Sequence, residues 1–408
     1  MLNIEAIRSQ FPILAVKAHG QRLVYLDNAA TTQKPLRVLD ASRAYYETAN
    51  ANVHRGAHYL SGLATEAHER ARRTAADFLR APSPNGIIFT SGCTMGINLA
   101  AQTLAAWKGV RRGDEVIISA DSHHSNIVPW QILCERRGLT LRVVPLTEEL
   151  TFDEDAFAAM LSAKTKVVAL PLISNALGLV NPLKRAFAAA KRANPRAVTL
   201  ADGAQAAASM PVDVQELGCD FYAFSGHKMY APMGTGVLWG REELLEELPP
   251  WLAGGEMIRE VTFEKTTFNA LPFKYEAGTP DVEGAVALAA AMDFMREIGM
   301  QNIHGHEAAL TAALFDGLSA LPGVRVLGPR APRGPLVSIA AQRAHPYDIG
   351  ALLDQMGIAV RTGHHCCQPL MQRLGITGTT RFSLGVYNTE EDVRAALSGT
   401  ERALAMLA

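Results

Sequence analysis

Short apolar runs punctuate the middle of the chain. IIFT (87–90), EVIIS (115–119), LRVVPL (141–146), KVVALPL (166–172), AVTLAD (197–202), DFYAFSG (220–226) and GTGVLWG (234–240) each predict a strand. Helical spacing predicts helices near 94–107, 126–137, 153–163 and 181–193 between them. The strand runs are apolar almost throughout rather than alternating, so both faces of their sheet should be covered. Strands alternating with helices imply parallel strands joined by crossovers, hence an α/β layered domain. The pattern changes after residue 248. Residues 249–280 carry Pro249, Pro250, Gly254, Gly255, Pro272, Gly278 and Pro280 and have little periodicity. They read as a long loop region, and long loops inside compact domains are usually functional. Helices near 283–298 and 301–319, strands near 324–327, 335–341 and 357–361, and a last helix at 390–407 follow. That succession predicts a smaller α+β domain.

Ligands of open α/β sheets bind beyond the carboxyl ends of the strands. Five predicted strand ends here carry chemically capable residues: Ser91 to Thr94, Asp121 to Asn126, Ile173 to Asn175, Asp202 to Gln205, and Ser225 to Lys228. Any one of them alone would be an ordinary helix cap. Their convergence predicts a site. Lys228 follows Ser-Gly-His directly after an apolar strand, where desolvation would lower its pKa and make it a nucleophile able to form a Schiff base. Ser225 and His227 flank it and could contact a phosphate, and Thr94, at a helix start, could add another contact. A pyridine cofactor needs a carboxylate facing its ring nitrogen to act as an electron sink. Asp202, at a neighbouring strand end, fits, with Gln205 in reach of a ring hydroxyl and His123 able to stack on the ring and move protons.

Composition narrows the partners. Lys and Arg number 39 against 40 Asp and Glu, so there is no basic field to hold nucleic acid or an acidic membrane. The five cysteines are odd in number and not spaced as a disulfide framework, which predicts a reduced, cytoplasmic protein. The first residues, broken by Glu5, Arg8 and Pro12, do not read as a signal peptide, and no apolar run is long enough to span a bilayer. His364, His365, Cys366 and Cys367 are contiguous and cannot all turn to one ion, so no metal site is predicted. No G-x-G-x-x-G follows the first strand, and no phosphate-loop G-x-x-x-x-G-K-[ST] occurs.

SGHK (225–228), DGAQ (202–205), HHSNIVPW (123–130) and RTGHHCCQP (361–369) together resemble a group II, Suf-type cysteine desulfurase. YLDNAAT (25–31), NVHRGAH (52–58), SNALG (174–178), EAGTP (276–280) and YNTEEDV (387–393) extend the resemblance, in order, over nearly the whole chain. The resemblance implies fold type I of the pyridoxal-phosphate enzymes. That fold has a large, mostly parallel, seven-stranded sheet domain, here at 20–282, and a small α+β domain made of 1–19 and 283–408. It implies that Lys228 binds pyridoxal 5'-phosphate covalently, that His123 is the stacking acid/base, and that Asp202 and Gln205 hold the ring. Thr94, Ser225 and His227 would bind the phosphate. Thr279 would reach the partner's cofactor in a homodimer, with His54 and Arg55 nearby. Asn175 and Arg381 would hold the substrate carboxylate, with Arg361 beside them, and Cys366 would be the persulfide-forming nucleophile. The implied substrate is L-cysteine. The sulfur would pass to an acceptor protein of SufE-like type, for iron–sulfur cluster assembly or related sulfur metabolism. Selenocysteine lyase or another pyridoxal-phosphate lyase or aminotransferase reaction is the alternative on this scaffold.

Four residues depart from the pattern that carries the resemblance. Cys93 stands where Thr or Ser is commoner, Met95 and Ser122 where Glu is commoner, and Cys367 where Ala is usual. Arg381 is expected just before an FSLGVY strand, and Cys367 is expected to point away from Cys366 along an extended backbone.

Overall fold

The computed structural model describes residues 2–407. The seven apolar runs all form strands of one sheet: β1 (Ile87–Thr90), β2 (Glu115–Ser119), β3 (Thr140–Val144), β4 (Thr165–Pro171), β5 (Val198–Asp202), β6 (Phe221–Ser225) and β7 (Gly236–Gly240). Their spatial order is β1-β7-β6-β5-β4-β2-β3. Strand β7 runs antiparallel to both neighbours and the remaining pairs are parallel, so the sheet is mostly parallel as expected. Strands β2, β4, β5, β6 and β7 are buried along their whole length. This is why their sequences show no in-out alternation. Two apolar cores, one on each face, cover the sheet.

This topology fixes where a ligand can sit. The chain leaves β2 toward β3 at one edge and leaves β4 toward β5 on the other side. The carboxyl ends of β2 and β4 therefore flank a crevice at a switch in winding direction, the usual ligand position in such sheets. His123 follows β2 and Asn175 follows β4.

A second sheet is built from β8 (Val324–Val326), β9 (Leu336–Ala341), β10 (Arg361–Gly363) and β11 (Thr379–Ser383), in antiparallel order β8-β9-β11-β10. The expected strand at 357–361 is in fact two elements. Ile358–Ala359 pairs in parallel with Val24–Tyr25, and Arg361 begins β10. Packing also crosses the expected domain limits. Helix Val282–Ile298 lies against helices Leu36–Thr48 and Tyr59–Leu79. Its Ala287, Leu288 and Met292 belong to the core of the large sheet, whereas Val24 and Leu26 belong to the core of the small one. The region 249–280 is not pure loop. It holds an exposed two-stranded hairpin, Ile258–Val261 with Thr266–Phe268, whose tip residue Phe263 is fully exposed.

Candidate active site

A cavity of about 830 Å³ opens between the carboxyl edge of the large sheet and the small sheet. Every site residue expected from the sequence lines it except Thr279.

On the floor, Lys228 ends a single helical turn, Gly226–Lys228, immediately after β6. Its Nζ has no hydrogen-bond partner among the described residues, and burial lowers its pKa from the ordinary lysine value even though Asp202 pulls it the other way. A lysine so placed spends more time neutral and nucleophilic. Asp202, the last residue of β5, is 5% exposed. Its Oδ1 accepts the Ala204 amide at 3.0 Å and the Cys93 thiol at 3.3 Å. Its Oδ2 has no donor among the described residues and is left for the cavity. Burial raises its pKa, with the Ala204 amide and the positive Lys228 opposing.

Beside these, helix Cys93–Ala106 begins at the cavity, led by Gly92 at φ 135°. A side chain at 92 would stand 3.0 Å from Ser225 Oγ in a conformation L residues avoid, so glycine is required there. Ser225 Oγ accepts the Cys93 amide at 2.8 Å, and His227 Nδ1 is buried with no partner. Thr94 stands exposed in the first turn. The His227 carbonyl accepts from Thr31 Oγ1 at 3.0 Å, Thr32 Oγ1 at 3.1 Å and Lys34 Nζ at 3.2 Å, which locks the Lys228 turn against the YLDNAAT segment. Gln205 is tied to the same segment through Nε2 and the Ala29 carbonyl at 2.9 Å.

His123 Nδ1 accepts the Ser125 amide at 3.0 Å and lies 2.7 Å from Ser125 Oγ. That leaves the ring proton on Nε2. Burial, then the nearby Lys228, lower its pKa to about 3. At that value the imidazole is neutral throughout the physiological range.

The opposite wall is cationic. Arg361 and Arg381 face each other across β10 and β11. Asp27 Oδ1 lies 3.5 Å from Arg381 Nη2 and Asp27 Oδ2 3.8 Å from Arg361 Nη1, so one carboxylate answers two guanidinium groups. The surplus positive charge suits a second carboxylate. Arg381 is 3% exposed, sits inside β11 rather than before a strand, donates from Nη1 to the Asn175 carbonyl at 2.8 Å, and keeps a buried, unpartnered Nε.

The Cys366 loop closes over this wall. His124 N–H donates to the Cys366 carbonyl at 2.8 Å, Asn175 Nδ2 to the His365 carbonyl at 2.6 Å, and Gln368 N–H to His124 Nε2 at 3.2 Å. His365 and Cys366 take left-handed φ values of 51° and 55°. The backbone is therefore a strained turn, not the extended segment expected, and such strain costs about 1–3 kcal/mol per residue. The turn leaves Cys366 exposed at the cavity and buries Cys367. Cys367 Sγ donates to Asn175 Oδ1 at 3.1 Å and burial pushes its thiol pKa up, so it is a poor nucleophile.

Thr279 is exposed on the EAGTP loop, outside the cavity of its own chain. Glu276 anchors that loop through the buried Arg72 at 2.7 and 2.9 Å, and Gly278 N–H donates to the Gly255 carbonyl. The adjacent Glu256 pairs with His54 at 3.0 Å and Arg55 at 3.3 Å, which brings the two motifs together. Sequence reasoning gave no role to Asp27, although it lies in the quoted YLDNAAT motif. Its signal was a carboxylate inside a segment otherwise free of charge.

A family model described as aminotransferase class-V matches residues 24–396. The chain is similar to a probable cysteine desulfurase of Vibrio cholerae, 45% identical over 407 residues and covering 100% of both chains. It is similar to the crystal structure of the cysteine desulfurase CsdA of Escherichia coli, in its S-sulfonic acid form, with a TM-score of 0.92, 38% identity and 100% of both chains covered. It is also similar to a C-DES mutant with glycine covalently linked to its PLP cofactor, with a TM-score of 0.83 and 25% identity over 97% of this chain and 98% of that one. The chain belongs to the class-V aminotransferases, and within them to the cysteine desulfurases.

Proposed function

We propose that this enzyme takes the sulfur of L-cysteine onto Cys366 and releases L-alanine, with pyridoxal 5'-phosphate held on Lys228. One observation carries the reading: a depressed-pKa lysine, a buried carboxylate with a free oxygen, and an exposed cysteine share one cavity. The residues present fit the cofactor. Asp202 Oδ2 is free for a ring nitrogen, His227 Nδ1 is a buried orphan, and the helix start at Gly92 is open to an anion. Thr94, Ser225 and His227 would hold the phosphate, and Gln205 and His123 the ring. The cofactor supplies an electron sink that makes the substrate's carbon atoms reactive.

The chain's own residues do the rest. Arg381, aided by Arg361 and Asn175, binds the substrate carboxylate and sets the sulfur toward Cys366. Lys228, its pKa lowered by burial, takes the α-proton at Nζ. His123 offers its Nε2–H to the cavity as a hydrogen-bond donor. Cys366 Sγ attacks the substrate sulfur; the new S–S bond replaces the Cβ–S bond, and protons complete alanine. L-cysteine plus thiol thus becomes L-alanine plus persulfide, atom for atom. Cys366 being exposed suits onward transfer to a SufE-like acceptor protein, for iron–sulfur cluster assembly or related sulfur metabolism, in the cytoplasm. Thr279, exposed and anchored beside the His54–Glu256–Arg55 cluster, suits a contact with a partner's phosphate site in a homodimer.

The test is product analysis. Protein loaded with the cofactor and given L-cysteine with a thiol reductant should yield sulfide and alanine in equal amounts. Pyruvate and ammonia instead of alanine would mean elimination and would overturn the reading.

A further inference from the structure

We infer that Cys93 is a positioning residue that couples the two ends of the cofactor site. The inference rests on the cofactor reading above. Residue 93 makes two bonds in opposite directions: its amide donates to Ser225 Oγ at 2.8 Å, and its thiol donates to Asp202 Oδ1 at 3.3 Å, with the Ala223 carbonyl at 3.5 Å as a second acceptor. Ser225 and Asp202 end the adjacent strands β6 and β5. One residue therefore ties the phosphate end of the site to the ring end.

The thiol is 4% exposed and lies beside the Asp202 carboxylate, so it keeps its proton and serves as a donor, not a nucleophile. With the Ala204 amide it saturates Oδ1 and leaves Oδ2 as the one oxygen for the cavity. A thiol is a weaker donor than a hydroxyl. It fixes the rotation of the carboxylate while drawing off little of its charge, so Asp202 stays able to hold a proton on a ring nitrogen. Gly92, which admits no Cβ at its φ of 135°, brings residue 93 this close.

The experiment compares Cys93→Ala and Cys93→Ser with the wild type, using pyridoxal phosphate labelled with ¹⁵N in the ring. Cys93→Ala should release the cofactor roughly tenfold more readily, the scale of one hydrogen bond to a charged group, and move the ring-nitrogen resonance toward the unprotonated position. Cys93→Ser, whose hydroxyl keeps a donor, should bind within about twofold of wild type, and its ring-nitrogen signal should lie between the other two. In an Asp202→Asn background, Cys93→Ala should cause no further change in the resonance. An alanine variant with unchanged affinity and resonance would overturn the assignment. So would alanine and serine variants that both lower the melting temperature of the cofactor-free protein equally and leave the resonance alone, since that is packing only. If the wild type took up no pyridoxal phosphate, the functional reading itself would fall, a different result from either.

Discussion

The floor and the wall of the cavity are built in different ways. The floor is local: Lys228, Ser225, Asp202 and His123 stand at or just beyond the ends of buried strands of one sheet. The wall is tertiary: Arg361 and Arg381 come from a second sheet, and the Cys366 loop is held by a few bonds to His124 and Asn175 across the cleft. In the proposed reading the floor makes a bound amino acid reactive, and the wall orients it and receives its sulfur. Damage to the floor should therefore abolish every reaction, whereas damage to the wall should leave cofactor binding intact and spoil only substrate orientation or sulfur transfer.

The largest effect belongs to the floor. Lys228→Ala should cut turnover by roughly 10⁴-fold or more and remove the borohydride-reducible bond to the cofactor, read by absorbance and mass. Next comes the exposed cysteine of the wall. Cys366→Ser should retain the cofactor fully yet release sulfide from cysteine roughly 10³-fold more slowly; loss of cofactor in this variant would erase the division between floor and wall. Arg381→Lys should raise KM for cysteine by roughly 10- to 100-fold, about 1.4 kcal/mol per tenfold, with a smaller change in kcat, because an ammonium cannot reproduce a bidentate guanidinium pair.

The smallest effect is on stability against pH. His123 and His365 are held near pKa 3 and His227 near 4, in each case first by burial, against an ordinary value of 6.5. Between those limits the unfolded chain binds more protons than the folded one, so their contribution is full above about pH 6.5 and declines as the pH falls. The melting temperature of the cofactor-free protein should drop from pH 7 to pH 5. His365→Asn should flatten part of that slope, which would place one such group in the wall as well as in the floor.

The same division explains what was legible in the sequence. Each floor residue follows an apolar run, so the strand that positions it announces it. Lys228 and Asp202 could be paired without knowing the fold. The wall carries no such signal. Arg381 looked like a residue before a strand because Thr379 and Thr380 are polar, yet both are fully buried inside β11. The left-handed turn at His365 and Cys366, which turns one cysteine out and the next in, depends on contacts with residues more than 180 positions away. The helices before residue 86 went unread. Tyr59–Leu79 buries a stripe that includes Ala64, Ala71, Ala75 and Ala76, with His68 and Arg72 among them. His123 shows the limit for chemistry: its place just after β2 is readable, but its pKa is set by burial and by Lys228, which no local pattern encodes.

The central claim is that the floor's chemistry delivers sulfur to one thiol of the wall. Cofactor-loaded protein should be given a single equivalent of L-cysteine without reductant, quenched and digested, and the cysteine-bearing peptides examined by mass spectrometry. The account predicts one added sulfur on Cys366, none on Cys367 or Cys93, and an equal amount of alanine. Sulfur found on Cys367 or Cys93 with Cys366 unmodified, or alanine formed without any persulfide, would contradict it.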